Sequence, residues 1–391
     1  MDDIFEGSFT EPEPLPEAAR EAAMAVLGRG RLHRYTTVQG ERAETVLLEE
    51  DFAARVGARY CLAVASGGYA IGAALRACGV GPGERVLTNA FTLAPVPGAI
   101  AALGAVPVYV GVTRDLVIDL DDLEAKLDRA SVLLLSHMRG HICDMTRLMA
   151  LCDAAGVRVI EDCAHTMGAD WDGVPTGRWG AAGCFSTQTY KHVNSGEGGL
   201  LITDDADLAA RAILLSGSYM LYDRHTAAPP AEAFADLRFE VPNVSGRMDN
   251  LRAAILRPQL ADLDVAARRW NALHDAVAAG LAEVPGLYLP RRPAREGYVA
   301  SSIQFLLPDH GPARIADVVA RCAARGVALK WFGGDPAGYT ARYDHWRYAR
   351  AEPMPATDAT LACLLDMRLP LRFDTDDCAT IARIIRQEAA R

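Results

Sequence analysis

At 391 residues the chain exceeds the usual domain size, so one large unit and one smaller one are expected. Half of its residues are apolar and 23% are charged, which excludes a disordered or membrane-embedded class. A formal net charge of −10 excludes nucleic acid as the main partner, because a phosphate-backbone binder needs a basic face. Cys61, Cys78, Cys152, Cys163, Cys322 and Cys363 sit inside apolar stretches, as reduced thiols do. The acidic opening Met1–Phe5 lacks the basic flank and apolar run of a secretory signal, and no run of about 18 uncharged apolar residues follows. A cytoplasmic protein with no membrane association is expected.

Pro12, Pro14 and Pro16 stand among acids, and an alanine-rich stretch from Pro16 to Leu27 reads as a helix entered through proline. Helical periodicity then alternates with short apolar runs. Helices are predicted over Thr45–Val56, Tyr69–Cys78, Pro95–Leu103, Asp121–Asp128 and Met145–Ala155. Strands are predicted over Tyr60–Val64, Arg85–Leu87, Val106–Val110, Ser131–Ser136, Val157–Glu161, Gly183–Ser186 and Gly199–Thr203. Such alternation implies an α/β fold with a mostly parallel seven-stranded sheet. Thr226–Ala235 reads as a mobile loop, and helical character returns over Asp249–Gly280. Tyr298–Leu307, Ala313–Arg325 and Thr375–Ala390 suggest a smaller C-terminal α+β unit, with residues 1–261 forming the arm and large domain and residues 262–391 the small one.

Four segments carry chemistry. The strand Val157–Ile160 runs into Glu161, Asp162 and His165, which places acids at the carboxyl end of a parallel strand, where open α/β sheets bind ligands. Phe185-Ser186 ends another strand five residues before Lys191, and a glycine-rich run follows. A lone lysine is ordinarily a solvated surface residue, yet this chain keeps lysine only at Lys126, Lys191 and Lys330. An amine becomes a nucleophile at neutral pH when desolvation or nearby cations lower its pKa. Ser66-Gly67-Gly68-Tyr69 joins a strand to a helix and leaves backbone N–H groups free for a phosphate, although tight turns also need glycine for steric reasons. The fourth segment, NVSGRM at 243–248, precedes a helix that begins near Asp249.

In order and spacing these segments, with EDCAH at 161–165, FSTQTYK at 185–191, Leu87–Val112 and Met367–Leu371, resemble the DegT/StrS group of sugar aminotransferases, which are fold-type I enzymes dependent on pyridoxal 5′-phosphate (PLP). The resemblance implies that Lys191 forms the Schiff base and shuttles the reacting proton, and that Asp162 pairs with the pyridinium nitrogen through a charge-assisted hydrogen bond of about 1.5–3 kcal/mol. It also implies that His165 lies by the ring, and that Ser186 and the Gly67, Gly68 and Tyr69 segment hold the phosphate. Asn243 matches a residue that reaches the neighbouring subunit's cofactor, so a homodimer follows. The implied reaction moves an amino group from glutamate or glutamine to a keto-sugar or keto-cyclitol. Two positions depart from the pattern. Gly68 stands where the family usually has Thr, and Leu93 stands at the aromatic ring-stacking position, with Phe91 two residues earlier.

Rival readings remain. A PLP-dependent lyase or replacement enzyme acting on an amino acid would use the same Lys191. Sugar-dehydrating relatives carry His in place of the lysine, which Lys191 opposes. A non-catalytic PLP-binding regulator would keep Lys191 and Asp162, but the chain shows no added DNA-binding domain. His137, His141 and Cys143 have a spacing that in principle serves zinc, but no second close Cys/His pair completes a tetrahedral set, so no metal is expected. His137, Arg139 and His141 are instead expected to face the substrate. Lys330 and Trp331 are further substrate candidates from the small domain, or else belong to a core aromatic pair with a surface lysine.

Overall fold

A computed structural model of the chain describes residues 3–218, 220–334 and 340–391, so Met1 and Asp2 of the acidic opening lie outside the described residues. Helices α1 (Glu17–Arg29) and α2 (Glu44–Val56) lead into β1 (Tyr60–Val64), α3 (Gly67–Ala77), β2 (Arg85–Asn89), α4 (Pro95–Ala102), β3 (Val106–Val110) and α5 (Leu120–Glu124). Then come β4 (Val132–Ser136), α6 (Met145–Ala155), β5 (Arg158–Asp162), the short pair β6 (Asp170–Trp171) and β7 (Val174–Pro175), β8 (Ala182–Ser186) and β9 (Gly199–Thr203).

Seven of these strands form one sheet in the order β1-β9-β8-β5-β4-β2-β3. Four neighbouring pairs are parallel: helical crossovers return the chain to the same edge between β2, β3, β4 and β5, and the excursion through β6 and β7 does so between β5 and β8. β9 runs antiparallel to β8 and β1, since the connection at 187–198 carries no helix and doubles back. Both faces are covered. Leu62, Val86, Leu134, Ile160 and Leu201 pack against α3, α4 and α7 (Ala206–Leu215), while Leu87, Val108, Leu133 and Val159 pack toward α5 and α6. Double-sided burial is why these strands read as continuous apolar runs.

The stretch expected as a mobile loop is packed: Phe234 is fully buried and stacks on Tyr222 at 4.4 Å, and Ala227 O accepts the Cys61 N–H. After α8 (Leu237–Glu240), the predicted helical stretch divides at Asp262 into α9 (Asn250–Ala261) and α10 (Leu263–Leu281). Pro258 lies inside α9 and removes one helical N–H. β10 (Glu296–Gly297) pairs with β6. The remaining elements are β11 (Ser302–Leu306), α11 (Pro312–Ala324), β12 (Lys330–Trp331), α12 (Pro355–Ala362), β13 (Leu364–Arg368) and α13 (Thr375–Ala390). β11, β13 and β12 form an antiparallel sheet whose Ile303, Phe305, Leu365 and Met367 share a core with Ile381 and Ile385 of α13. The N-terminal arm docks there, with Phe5 and Phe9 edge-on to Phe373 at 5.1 Å each. None of the described helices is long and apolar enough to cross a membrane.

Candidate active site

The sheet's register brings the chemistry to one edge. Ser136 lies opposite Asp162, Asp162 opposite Cys184, Ser186 opposite Gly199, and Gly199 opposite Val64. The carboxyl ends of β4, β5, β8 and β1 therefore meet there. β2 extends to Asn89 because its side chain joins the end of β4, donating to Ser136 O at 3.0 Å and accepting from Ser136 N at 2.8 Å.

Asp162 is 6% exposed; Oδ2 accepts from Ser136 Oγ at 2.9 Å and Oδ1 from Ala164 N at 3.1 Å. Burial raises its pKa despite these bonds, and no described cation lies within ion-pair distance. Lys191 extends from the turn after β8, with Nζ 2.9 Å from His165 Nε2. Burial, aided by Arg139 and Arg368 and opposed by Asp162, lowers the amine's pKa to about 8. His165 is held well below its ordinary value by burial and by Lys191. It is thus neutral at pH 7, and Nε2 accepts the lysine's proton.

Gly67 and Gly68 open α3, so their N–H groups have no intrahelical acceptor. The Tyr69 N–H is instead taken by Ser66 Oγ at 3.1 Å, which makes Tyr69 a poorer phosphate donor than the sequence suggests. A Cβ on Gly67 would lie 2.8 Å from Ser186 Cβ, so the turn sits directly against that serine. A Cβ on Gly199 would lie 2.5 Å from Ser66 C and O, so the same turn also needs glycine there. The Tyr69 ring occupies the space beside Gly246, whose added Cβ would meet Cζ at 2.1 Å, and this locks the 243–248 segment against α3.

The expected substrate residues separate. After β4 the chain turns through Arg139 at φ 59°, so the side chains of His137 and Arg139 diverge. His137 points back into the protein, with Nε2 3.1 Å from Glu161 Oε2. Glu161 also accepts from the N–H groups of Gly177, Trp179 and Gly180. His141 is buried with Nε2 2.8 Å from Gln304 Oε1, and Cys143 faces Met145, so the spacing that suggested zinc does not converge. The described donors that do approach one another are His137, Glu161 and Cys163; the first two are engaged in the bonds above, and the Cys163 thiol lies 3.8 Å from Glu161 O. Only Arg139 of the trio reaches the cavity of about 450 Å³ beside Lys191 and His165. It is fixed there by Asp366 at 2.7 Å; Asp366 accepts from Gln304, so His141 supports Arg139 from behind through two hydrogen bonds.

Lys330 and Trp331 stand outside that cavity's lining. Lys330 Nζ donates to Thr340 Oγ1 at 2.9 Å and lies over the Phe332 ring, while the Trp331 indole donates to Ala362 O at 2.8 Å. Leu93 is half-buried and leans on the C-terminal core; Phe91 is fully buried edge-on to Phe332 at 5.2 Å and cannot stack on a ligand. Asn243 is exposed. Sequence reasoning missed Arg368, Tyr190 and the arm residues Phe9–Pro16, which all line the cavity. Alternation of Asp366 and Arg368 in an otherwise apolar strand is the signal that would have found the arginine.

A buried carboxylate without a counter-ion, an amine poised near neutrality and free helix-terminal N–H groups suit a phosphorylated cationic ring bearing an aldehyde. Those needs, met at this edge of a sheet wound in this order, place the chain among the fold-type I enzymes that use PLP. Residues 20–386 match the model of the DegT/DnrJ/EryC1/StrS aminotransferase family. The chain is 33% identical over 284 residues to the L-glutamine:2-deoxy-scyllo-inosose aminotransferase of Streptomyces lividus, covering 72% of this chain and 66% of that protein. It thus spans just under two thirds of that relative's length. Among solved structures, 3-amino-5-hydroxybenzoic acid synthase superposes with a TM-score of 0.83 at 26% identity, covering 100% of both chains. The aminotransferase TlmJ from Streptoalloteichus hindustanus gives 0.83 at 24%, covering 100% of this chain and 99% of that one. The chain belongs to the DegT/DnrJ/EryC1/StrS aminotransferase family, and its cofactor is PLP.

Proposed function

We propose that the protein is an aminotransferase that moves an amino group from glutamine or glutamate to the ketone of a sugar or cyclitol. The observation that carries this reading is the Lys191 amine, held to about 8 beside the neutral ring of His165 and at the edge where Asp162 ends β5. The glutamine-dependent cyclitol aminotransferase among its relatives supports the choice of donor and acceptor.

Bound PLP supplies the electron sink for bond-breaking at the amine-bearing carbon. Lys191 would hold the cofactor and carry the reacting proton on Nζ. Its lowered pKa leaves an appreciable free-base fraction at pH 7. His165 Nε2 accepts from that amine and orients it. Asp162, kept in place by Ser136 and Ala164, holds the ring nitrogen charged. The N–H groups of Gly67 and Gly68, with Ser186 Oγ, bind the phosphate, and that of Tyr69 joins them if Ser66 releases it. Leu93 would pack beside the ring in place of an aromatic residue.

The exposure of Asn243, whose amide donates to Leu214 O, supports a homodimer in which this residue approaches the site of a second copy. Residues 1–261 form the cofactor-binding unit and residues 262–391 the unit that closes on substrate. All nine cysteines are free, which supports a cytoplasmic setting.

The test is to mix PLP-loaded protein with glutamine or glutamate and follow conversion to the pyridoxamine form. Conversion is expected. Its failure with every amino-acid donor would favour lyase or replacement chemistry at the same lysine.

A further inference from the structure

Lys191 sits between two residues that the C-terminal sheet holds. On one side Arg368 of β13 lies over the Tyr190 ring, with Cζ 3.5 Å from the centroid. On the other, His192 Nε2 lies 3.1 Å from Ser301 Oγ. Both holders belong to one rung: Ser302, which opens β11, is opposite Arg368, and Ser301 O accepts from Leu369 N at 3.0 Å. The second nitrogen of His192 reaches the turn after β5. Nδ1 donates to Met167 O at 3.0 Å, two residues beyond the His165 that meets the Lys191 amine.

A carbonyl only accepts, so Nδ1 carries the ring proton and Nε2 is the acceptor for the serine hydroxyl. Burial, aided by the Lys191 charge, lowers the pKa of His192 to about 4, so the ring is neutral at pH 7 and adds no charge beside the amine. It is 8% exposed, and Trp270 of α10 packs on it with ring centroids 5.0 Å apart. With both nitrogens engaged, the ring is a brace rather than a proton carrier. Its two bonds fix the turn that bears Lys191 against the turn that bears His165, and fix both against the C-terminal sheet. Resting on the aminotransferase reading, we propose that His192 is a positioning residue for Lys191: its bonds to Met167 O and Ser301 Oγ let the C-terminal sheet set where the reacting amine stands.

His192→Asn keeps an N–H where Nδ1 stands but cannot reach Ser301, so it and Ser301→Ala cut the same link. Neither touches Asp162, His165, Arg139 or Arg368, the groups that face the amine. Competitive acetylation of the full chain with acetic anhydride over a pH series, read by mass spectrometry, titrates the Lys191 amine without cofactor or turnover. The wild-type midpoint should lie at about 8. In each variant it should rise by about half a unit to one unit, the scale of one neutral hydrogen bond, as the looser turn admits water. The double variant should shift no further than either single one. In PLP-loaded Ser301→Ala the donor and acceptor half-reactions, followed in single turnovers, should both slow about threefold to tenfold with little change in half-saturation, because both use the same amine. An unmoved midpoint, additive shifts in the double variant, or slowing of one half-reaction alone would overturn the assignment. If wild type converts no donor, the aminotransferase reading falls, and the acetylation midpoints still decide whether His192 positions the amine.

Discussion

Nζ of Lys191 lies 2.9 Å from Nε2 of His165, and burial holds this amine at about 8 where a solvated lysine titrates near 10.5. Capture of PLP by cofactor-free protein needs the free amine, so its rate should rise with pH and level off just above 8. Stopped-flow absorbance measures this, and a rate still climbing at pH 10 would contradict the burial argument. The sign for stability follows from the same shift. Between about 8 and 10.5 the unfolded chain binds the extra proton, so cofactor-free protein should gain stability as pH rises through that window. Below it the penalty is constant. Lys191→Met should therefore stabilise the cofactor-free protein at pH 7 by up to roughly 3 kcal/mol, less whatever solvent screening remains.

Asp162 carries the opposite burden. Burial raises its pKa, so the ionised carboxyl costs stability above that pKa, and cofactor-free Asp162→Asn should melt no lower than wild type at pH 7. With PLP the order should reverse. The variant loses a bond of about 1.5–3 kcal/mol to the ring nitrogen, and the rise in Tm on adding PLP should shrink. Equal stabilisation of both proteins by PLP would remove Asp162 from the site.

Arg139 and Asp366 tie the end of β4 to β13 through a pair with 12% and 3% side-chain exposure. Removing one member of a buried pair leaves the other uncompensated, so Arg139→Leu should cost about 3–5 kcal/mol. Adding Asp366→Asn should restore part of that loss, and denaturant unfolding of the full cycle measures the coupling.

Two glycines, one opening β9 against the start of α3 and one inside α3, give opposite predictions. Gly199→Ala drives a Cβ to 2.5 Å from the Ser66 backbone and should cost about 1–3 kcal/mol while weakening phosphate binding. Gly72→Ala meets nothing within 4 Å inside α3 and should stabilise by about 0.5–1 kcal/mol. Thermal melts with and without PLP distinguish the two.

β1, β3, β9 and α6 were legible to the residue, because short buried runs bounded by turn residues carry a clear pattern. β2 and β5 run past their expected ends through Thr88, Asn89 and Asp162, buried polar residues whose backbones continue the ladder. α7 escaped notice since Leu208, Ala209, Ala210, Ala212, Ile213, Leu214 and Leu215 are all buried, which erases helical periodicity. The placement of Lys191 and Asp162 at one edge of the sheet was readable from strand ends. His137 was not, because the backbone reversal at Arg139 is a matter of φ rather than of spacing. Arg368 reaches Tyr190 only through tertiary folding of β13 onto the Lys191 turn, a contact no local pattern encodes.

We propose Lys191 as the lysine that holds PLP. Lys126 is engaged by Asp122 and Tyr109 O, and Lys330 by Thr340, so only three lysines need separating. Borohydride reduction of PLP-loaded protein followed by proteolysis and mass spectrometry should find the pyridoxyl mass on Lys191 alone, and Lys191→Ala should show no visible absorption band. A label on Lys126 or Lys330, or a band that survives in the variant, would contradict the account.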